Sequence, residues 1–213
     1  MDPLFIIILG ISLLVAITIH EAAHAFMSDY LGDPTARLMG RLSLNPLVHL
    51  DPMGTLVFVI TAIAGIPFGW GKPVQFDPYN LQNPKKDAAL ISLAGPASNI
   101  ILASILSLIY RFILPIGTSG ILIALLQAMI TLNISLAIFN LIPIHPLDGG
   151  KILVALLPEN EARQYDLLLN RYGFMLLLFL IIPIVNGQSI VSIVISPIIN
   201  FFISVLIPGL GVL

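Results

Sequence analysis

Cysteine is absent from this 213-residue chain, which removes disulfides, a thiol nucleophile and any thiolate metal site. A metal here has only His, Asp and Glu to hold it. Charge is scarce as well: 9% of residues are charged, where soluble domains carry roughly a quarter. A net charge of −2 leaves no basic surface for nucleic acid. There is no long hydrophilic stretch, internal repeat or low-complexity tract, and so no room for a separate soluble domain. What remains is apolar: 58% of residues are hydrophobic and the mean hydropathy is +1.04. This composition predicts an all-α polytopic membrane protein, one membrane-embedded domain over residues 1–213. Met1-Asp2-Pro3 opens the first apolar run without a basic n-region, and no A-x-A cleavage pattern follows its core. The run therefore reads as a retained helix rather than a signal peptide.

A spanning helix needs about 20 mostly apolar residues. Residues 3–27, 88–114 and 119–142 qualify. The tail offers two more, about 172–186 and 189–208, split at Asn186-Gly187 and each bent by a proline, Pro183 or Pro197. Residues 53–66 are too short to cross; bounded by Pro52 and Pro67 and interrupted by Gly54 and Gly65, they suit a re-entrant segment. The expected fold is therefore about five spanning helices plus one re-entrant segment. Basic residues agree. With 53–66 re-entrant, Arg37, Arg41, Lys72, Lys85, Lys86, Lys151, Arg163 and Arg171 share one side and only Arg111 lies opposite. The positive-inside rule makes the richer side cytoplasmic.

The strongest chemical signal is His20-Glu21-Ala22-Ala23-His24, at the cytoplasmic end of the first apolar run. Residues i and i+4 share one helical face. Two imidazoles so placed can grip one zinc ion, with the intervening glutamate set to act on an attacking water. The alternative, a polar helix end dipping into the interface, sits badly with the cost of ionisable groups in a membrane, about 2.5–3.5 kcal/mol each on insertion scales. Catalytic zinc usually takes three protein ligands. Asp148 stands where a long apolar run breaks, between Pro143 and Pro146 on one side and Gly149-Gly150 on the other. On its own it is equally a helix cap or a ligand; beside HEAAH, the ligand reading leads. His20 and His24 can share a metal with Asp148 only if an even number of crossings separates them, which again makes 53–66 re-entrant.

These motifs together resemble the site-2 protease family of intramembrane zinc metalloproteases. The resemblance rests on HEAAH, Gly95-Pro96-Ala97-Ser98-Asn99, and Asn140 followed by Leu147-Asp148-Gly149. The stretches Gly32-Asp33-Pro34-Thr35-Ala36 and Gly69-Trp70-Gly71-Lys72-Pro73-Val74 are similar to its short prokaryotic branch, without PDZ or CBS domains. The resemblance covers about residues 10–152. It implies a three-helix catalytic core (about residues 3–152, with C-terminal helices over about 172–208) and one Zn2+ per chain. It also implies hydrolysis of peptide bonds in or near the transmembrane segments of membrane-protein substrates, in a cell membrane, with the active site toward the cytoplasm. Glu21 is then the general base. Asn140 matches an asparagine that the family places beside the active site, where it is either a donor to the substrate carbonyl or an interhelical bond. Asn99 reads as packing with a possible share in the site, and His145 and His49 as loop residues. Residues 70–76 are extended in character and are either a plain connection or an edge for an unwound substrate. A cation transporter could also place His and Asp in a membrane, but has no reason to put Glu between the histidines. A pseudoprotease need not keep the ligands and Glu21 together.

Overall fold

The first helix starts where its capping chemistry dictates. Asp2 accepts a hydrogen bond from the Leu4 N–H (2.9 Å), and Pro3 occupies the first helical position, where no N–H is needed. The structure, a computed structural model, describes residues 2–63, 69–182 and 188–207. Its helices are α1 (Pro3–Tyr30), α2 (Thr35–Leu38), α3 (Pro52–Ile63), α4 (Pro84–Ile113), α5 (Gly120–Asn140), α6 (Asp148–Leu156), α7 (Glu159–Ile181) and α8 (Ile190–Leu206). Among the described residues the fold is all-α, with one isolated antiparallel bridge between Leu50 and Gly71.

Three described helices are long and apolar enough to cross a membrane: α1, α4 with its short extension to Ile116, and α5. They pack mutually as a three-helix core. Its half nearer the α4–α5 turn is apolar, with Ala103, Leu106 and Tyr110 against Leu126, Ile130 and Ile134. Its other half is polar: His20, His24, Asn99 and Asn133 are all buried there. Hydroxyls in α1 cost the bundle little, because Ser12 and Thr18 each donate to the carbonyl four residues back, Ile8 and Leu14 (2.7 Å each).

The segment expected to be re-entrant is helical over Pro52–Ile63. α3 has 12 residues, about 18 Å at 1.5 Å per residue, against roughly 30 Å of hydrocarbon. It cannot span alone, as expected of a re-entrant piece. Gly54 lets it lie directly on the Trp70 carbonyl, which a Cβ there would strike. Gly65 and Pro67 fall outside the described residues, as do Pro183, Asn186 and Gly187 in the tail.

The tail departs from expectation. The helix foreseen from about residue 172 begins at Glu159, thirteen residues earlier. Glu159 and Glu161 in its first turn complement the helix dipole. Ala162, Leu169, Gly173 and Leu177 form one buried stripe along it, so packing makes a helix of a segment that composition marks only as polar. α8 runs through Pro197 without a break.

The two polar connections, residues 31–51 and 69–83, are held together by one buried carboxylate. Asp33 accepts from the Ser28 hydroxyl (2.9 Å), the Thr35 N–H (3.1 Å), the Thr35 hydroxyl, the Asp77 N–H (2.9 Å) and the Asn80 amide (2.8 Å). Burial alone would raise its pKa, but the hydrogen bonds from Thr35, Asn80, Asp77 and Ser28 outweigh that and lower it to about 2. A depressed carboxylate stabilises the fold fully above its unfolded pKa of about 4. That contribution is lost as pH falls through the folded value. The span is worth about 2 kcal/mol. Acid unfolding followed by circular dichroism should therefore steepen between about pH 4 and 2, and Asp33→Asn should lower stability at neutral pH and flatten that limb. An unchanged acid limb in Asp33→Asn would remove Asp33 from this role.

Candidate metal centre

α1 carries His20 and His24 on one face, one turn apart, with ring centroids 4.6 Å apart and planes nearly perpendicular (87°). Asp148 reaches them from the start of α6. Its Oδ2 lies 3.1 Å from His20 Nε2 and 3.2 Å from His24 Nε2. The helix-cap alternative for Asp148 is not what is observed. α6 begins at Asp148 itself, its cap is Leu147, and no side chain caps it. The carboxylate is spent on the histidines.

The other ring nitrogens fix which atoms face the carboxylate. His20 Nδ1 donates to the Asn99 side-chain oxygen and His24 Nδ1 to the Ile91 carbonyl, each at 2.7 Å. Both acceptors are carbonyl oxygens, so each Nδ1 carries a hydrogen, and in the neutral ring each Nε2 then presents a lone pair. With both rings neutral, two lone pairs converge on a carboxylate oxygen, an arrangement that a bound cation completes. The three ligand atoms lie within 4.8 Å of one another. Tetrahedral zinc with bonds of about 2.0–2.1 Å sets neighbouring ligand atoms about 3.3 Å apart, close to the two separations observed. The surrounding backbone leaves room for the rings: a Cβ on Gly95 of α4 would come within 2.5 Å of His24 Nε2 and 2.7 Å of His20 Cε1. The donor set, its tautomers and its spacing fit zinc.

Asn99 is the hub behind His20. Its amide donates to the Ala16 carbonyl (2.9 Å) and to Asn133 Oδ1 (2.7 Å), and Asn133 donates on to the Met129 carbonyl (2.8 Å). This chain fixes the sense of the Asn99 amide and ties α1, α4 and α5 together behind the ring. Asn99 thus combines packing across the bundle with a hydrogen bond to His20. Asn133 escaped notice, although an asparagine in the middle of an apolar helix was a usable signal. Partners that orient a metal-ligating histidine are typically worth 10–100-fold in metal affinity. Asn99→Ala should weaken zinc binding by about that factor in a competitive chelator titration. Unchanged affinity in a folded variant would make Asn99 a packing residue only.

Glu21 reaches the extended segment after α3. Its Oε2 accepts from the Val74 N–H at 2.8 Å. That segment is braced in turn: the Lys72 N–H donates to the His49 carbonyl (2.8 Å), and Arg41 donates to the carbonyls of Lys72 (2.8 Å) and Pro73 (3.2 Å). The Lys151 ammonium sits 4.8 Å from the Phe76 ring centroid. His49, fully buried, spends Nε2 on the Ser43 carbonyl (2.7 Å). His145 pairs with Asp166 of α7 at 3.1 Å, apart from the ligand cluster. Asn140, half-buried at the last turn of α5, donates back to the Leu136 carbonyl (2.9 Å). Gly149 and Gly150 pack α6 against the loop before it. A Cβ on Gly149 would strike the Leu141 carbonyl, and one on Gly150 would lie 2.7 Å from His145 Nδ1.

Known proteins bear a clear likeness to this chain. Residues 115–180, from just before α5 nearly to the end of α7, match the model of peptidase family M50. A Bacillus subtilis protein that goes by the name zinc metalloprotease YwhC is 38% identical over 181 residues, 82% of this chain and 80% of its own length. The Mycobacterium tuberculosis protein named zinc metalloprotease Rip2 is 32% identical over 185 residues, 82% of this chain and 66% of its own length. The zinc metalloprotease MJ0392 of Methanocaldococcus jannaschii is 25% identical over 158 residues, 74% of this chain but 37% of its own length. No solved structure matches the chain.

Proposed function

This chain belongs to peptidase family M50, the site-2 protease family, and from that membership we propose an intramembrane zinc metalloprotease. It hydrolyses peptide bonds within or near the transmembrane segments of membrane-protein substrates. The observation that carries the reading is the convergence of His20 Nε2, His24 Nε2 and Asp148 Oδ2, with Glu21 between the two histidines on α1, in a bundle of membrane-length helices. His20, His24 and Asp148 would hold the zinc. When bound, zinc supplies Lewis-acid polarisation of the scissile carbonyl and brings the pKa of a water down toward about 7.

The protein's own groups do the rest. With Oε2 engaged by the Val74 N–H, Glu21 has Oε1 free to take a proton from the attacking water and return it to the leaving amine. Asn140 has given one amide hydrogen to Leu136; its second serves the substrate carbonyl as charge develops there. The extended run around Gly71–Val74, one edge of which pairs with His49 and Leu50, supports its use as an edge for an unwound substrate. The single domain spans residues 1–213. It lies in the cell membrane with its site toward the cytoplasm, a reading supported by eight of nine basic residues grouping on the side where α1 ends.

Reconstituted protein mixed with a single-span model substrate tests this reading. Mass spectrometry should map cleavage to the membrane segment, and the activity should vanish with a zinc chelator and return with zinc. Cleavage confined to soluble loops would overturn the intramembrane reading. In the same assay Asn140→Ala should keep its zinc yet lose turnover by about 10²–10³-fold, as when an oxyanion donor is removed. Were Asn140 only an interhelical bond, worth about 0.6 kcal/mol, turnover would hardly move. Asn140→Asp, which swaps the donor for a carboxylate, should be as inactive as alanine.

A further inference from the structure

A 23-residue helix such as α7 rises about 34 Å, enough to cross the hydrocarbon layer. Its contacts argue otherwise. The Tyr165 hydroxyl donates to the Pro143 carbonyl (2.8 Å), and Asp166 pairs with His145. Gly173 presses on the same loop, where a Cβ would lie 2.5 Å from the His145 carbonyl oxygen. Leu177 is buried with Ile144 and Leu147. From Tyr165 to Leu177 the helix advances about 18 Å, yet all four contacts fall on residues 143–147, just past the end of α5. A helix leaving that level along the membrane normal would touch it at one end only.

α8 makes the same point from its own ends. Near its start, Ser189 and Ser192 line a cavity of about 290 Å³ with Phe139, at the C-terminal end of α5, and Ile181, at the end of α7. At its other end the Leu206 carbonyl accepts from Ser107 (2.5 Å) and the Val205 carbonyl from Arg111. Ile207 is buried with Tyr110 and Leu126, near the α4–α5 turn. α8 thus runs antiparallel to α5 and begins on the side where α5 ends. Had α7 crossed, α8 would begin on the far side.

We propose that α7 does not cross the membrane but lies in the leaflet on the metal-site side, and that α8, whose 17 residues reach the lower limit for a span, alone makes the last crossing. The face of α7 opposite its buried stripe suits that bed. It changes from Asn160 and Gln164 to Leu167, Phe174, Met175 and Leu178, all exposed, so the helix sinks from water into lipid along its length. Arg171, on the same face, has a stem long enough to bring its charge up to the lipid phosphates. The chain then crosses four times, by α1, α4, α5 and α8, in place of the five crossings expected from composition. Pro3 and Ile207 then both lie on the side away from the metal. α7 becomes a brace pressed against the loop that leads into Asp148.

The absence of native cysteine makes the test direct, and no catalytic activity is needed for it. In oriented vesicles, a membrane-impermeant maleimide should reach Asn160→Cys from one side and a cysteine appended after Leu213 from the other. Labelling of both from the same side would overturn the proposal. Spin labels at positions 167, 171, 175 and 178 should report depths that never pass the bilayer midplane. A label at 178 beyond the midplane would overturn it too.

Discussion

Glu21→Gln retains one zinc per chain and loses about 10²–10⁴-fold in turnover, the usual share of a general base. The substitution isolates proton transfer because so little else changes. Glutamine keeps the shape of glutamate and an oxygen to accept from the Val74 N–H, which glutamate holds at 2.8 Å. Neither the extended segment nor the three ligands lose a partner. What disappears is a carboxylate able to take a proton from water and return it to an amine. Metal analysis and a cleavage assay on the same preparation decide the matter. Zinc lost along with activity would make Glu21 a ligand, and undiminished turnover would end its part in the reaction.

Removing a ligand has the opposite signature. In His20→Ala, His24→Ala or Asp148→Ala, bound zinc falls well below one per chain and cleavage ends with it. Stability carries an independent readout. A ligand that binds the folded state alone stabilises it by about 2.7 kcal/mol at a hundred times its dissociation constant. Zinc should therefore raise the melting temperature of the wild-type chain and leave that of Asp148→Ala unmoved. A zinc-dependent shift of equal size in Asp148→Ala would show that the metal sits elsewhere.

Much of this was legible before any coordinates. The helix ends of α1, α4 and α5 fall within four residues of the expected ones, because a membrane demands unbroken apolar runs and proline or polar residues punctuate them. The three residues expected as ligands come together in space. HEAAH fixes two of them by helical periodicity, and a scarcity of acidic residues in apolar surroundings leaves few candidates for a third. What stayed hidden depends on backbone partners or on packing. Nothing in a sequence shows that Ile91 offers its carbonyl to His24, or Val74 its N–H to Glu21. α7 was misjudged at its start because Glu159, Arg163 and Asp166 mark a polar stretch, whereas the buried stripe of Ala162, Leu169, Gly173 and Leu177 makes it a helix. His145 could have been a fourth ligand by position alone; its pairing with Asp166 needed the fold.

The proposed ligands are also separated along the chain: His20 and Asp148 lie 128 positions apart. A growing polypeptide delivers its N-terminal part first, so the histidine pair enters the membrane long before its third partner exists. During that interval α1 holds two imidazoles and a glutamate but no completed grip on a metal. Asn99, which orients His20, and Asn133, which orients Asn99, also arrive before the carboxylate that closes the site. On the proposed assignment the newborn protein is therefore a disarmed one, gaining its cutting power only once Asp148 has been made and the bundle has gathered around it. Truncation upstream of Asp148 should therefore yield an inert membrane helix bundle rather than a runaway protease.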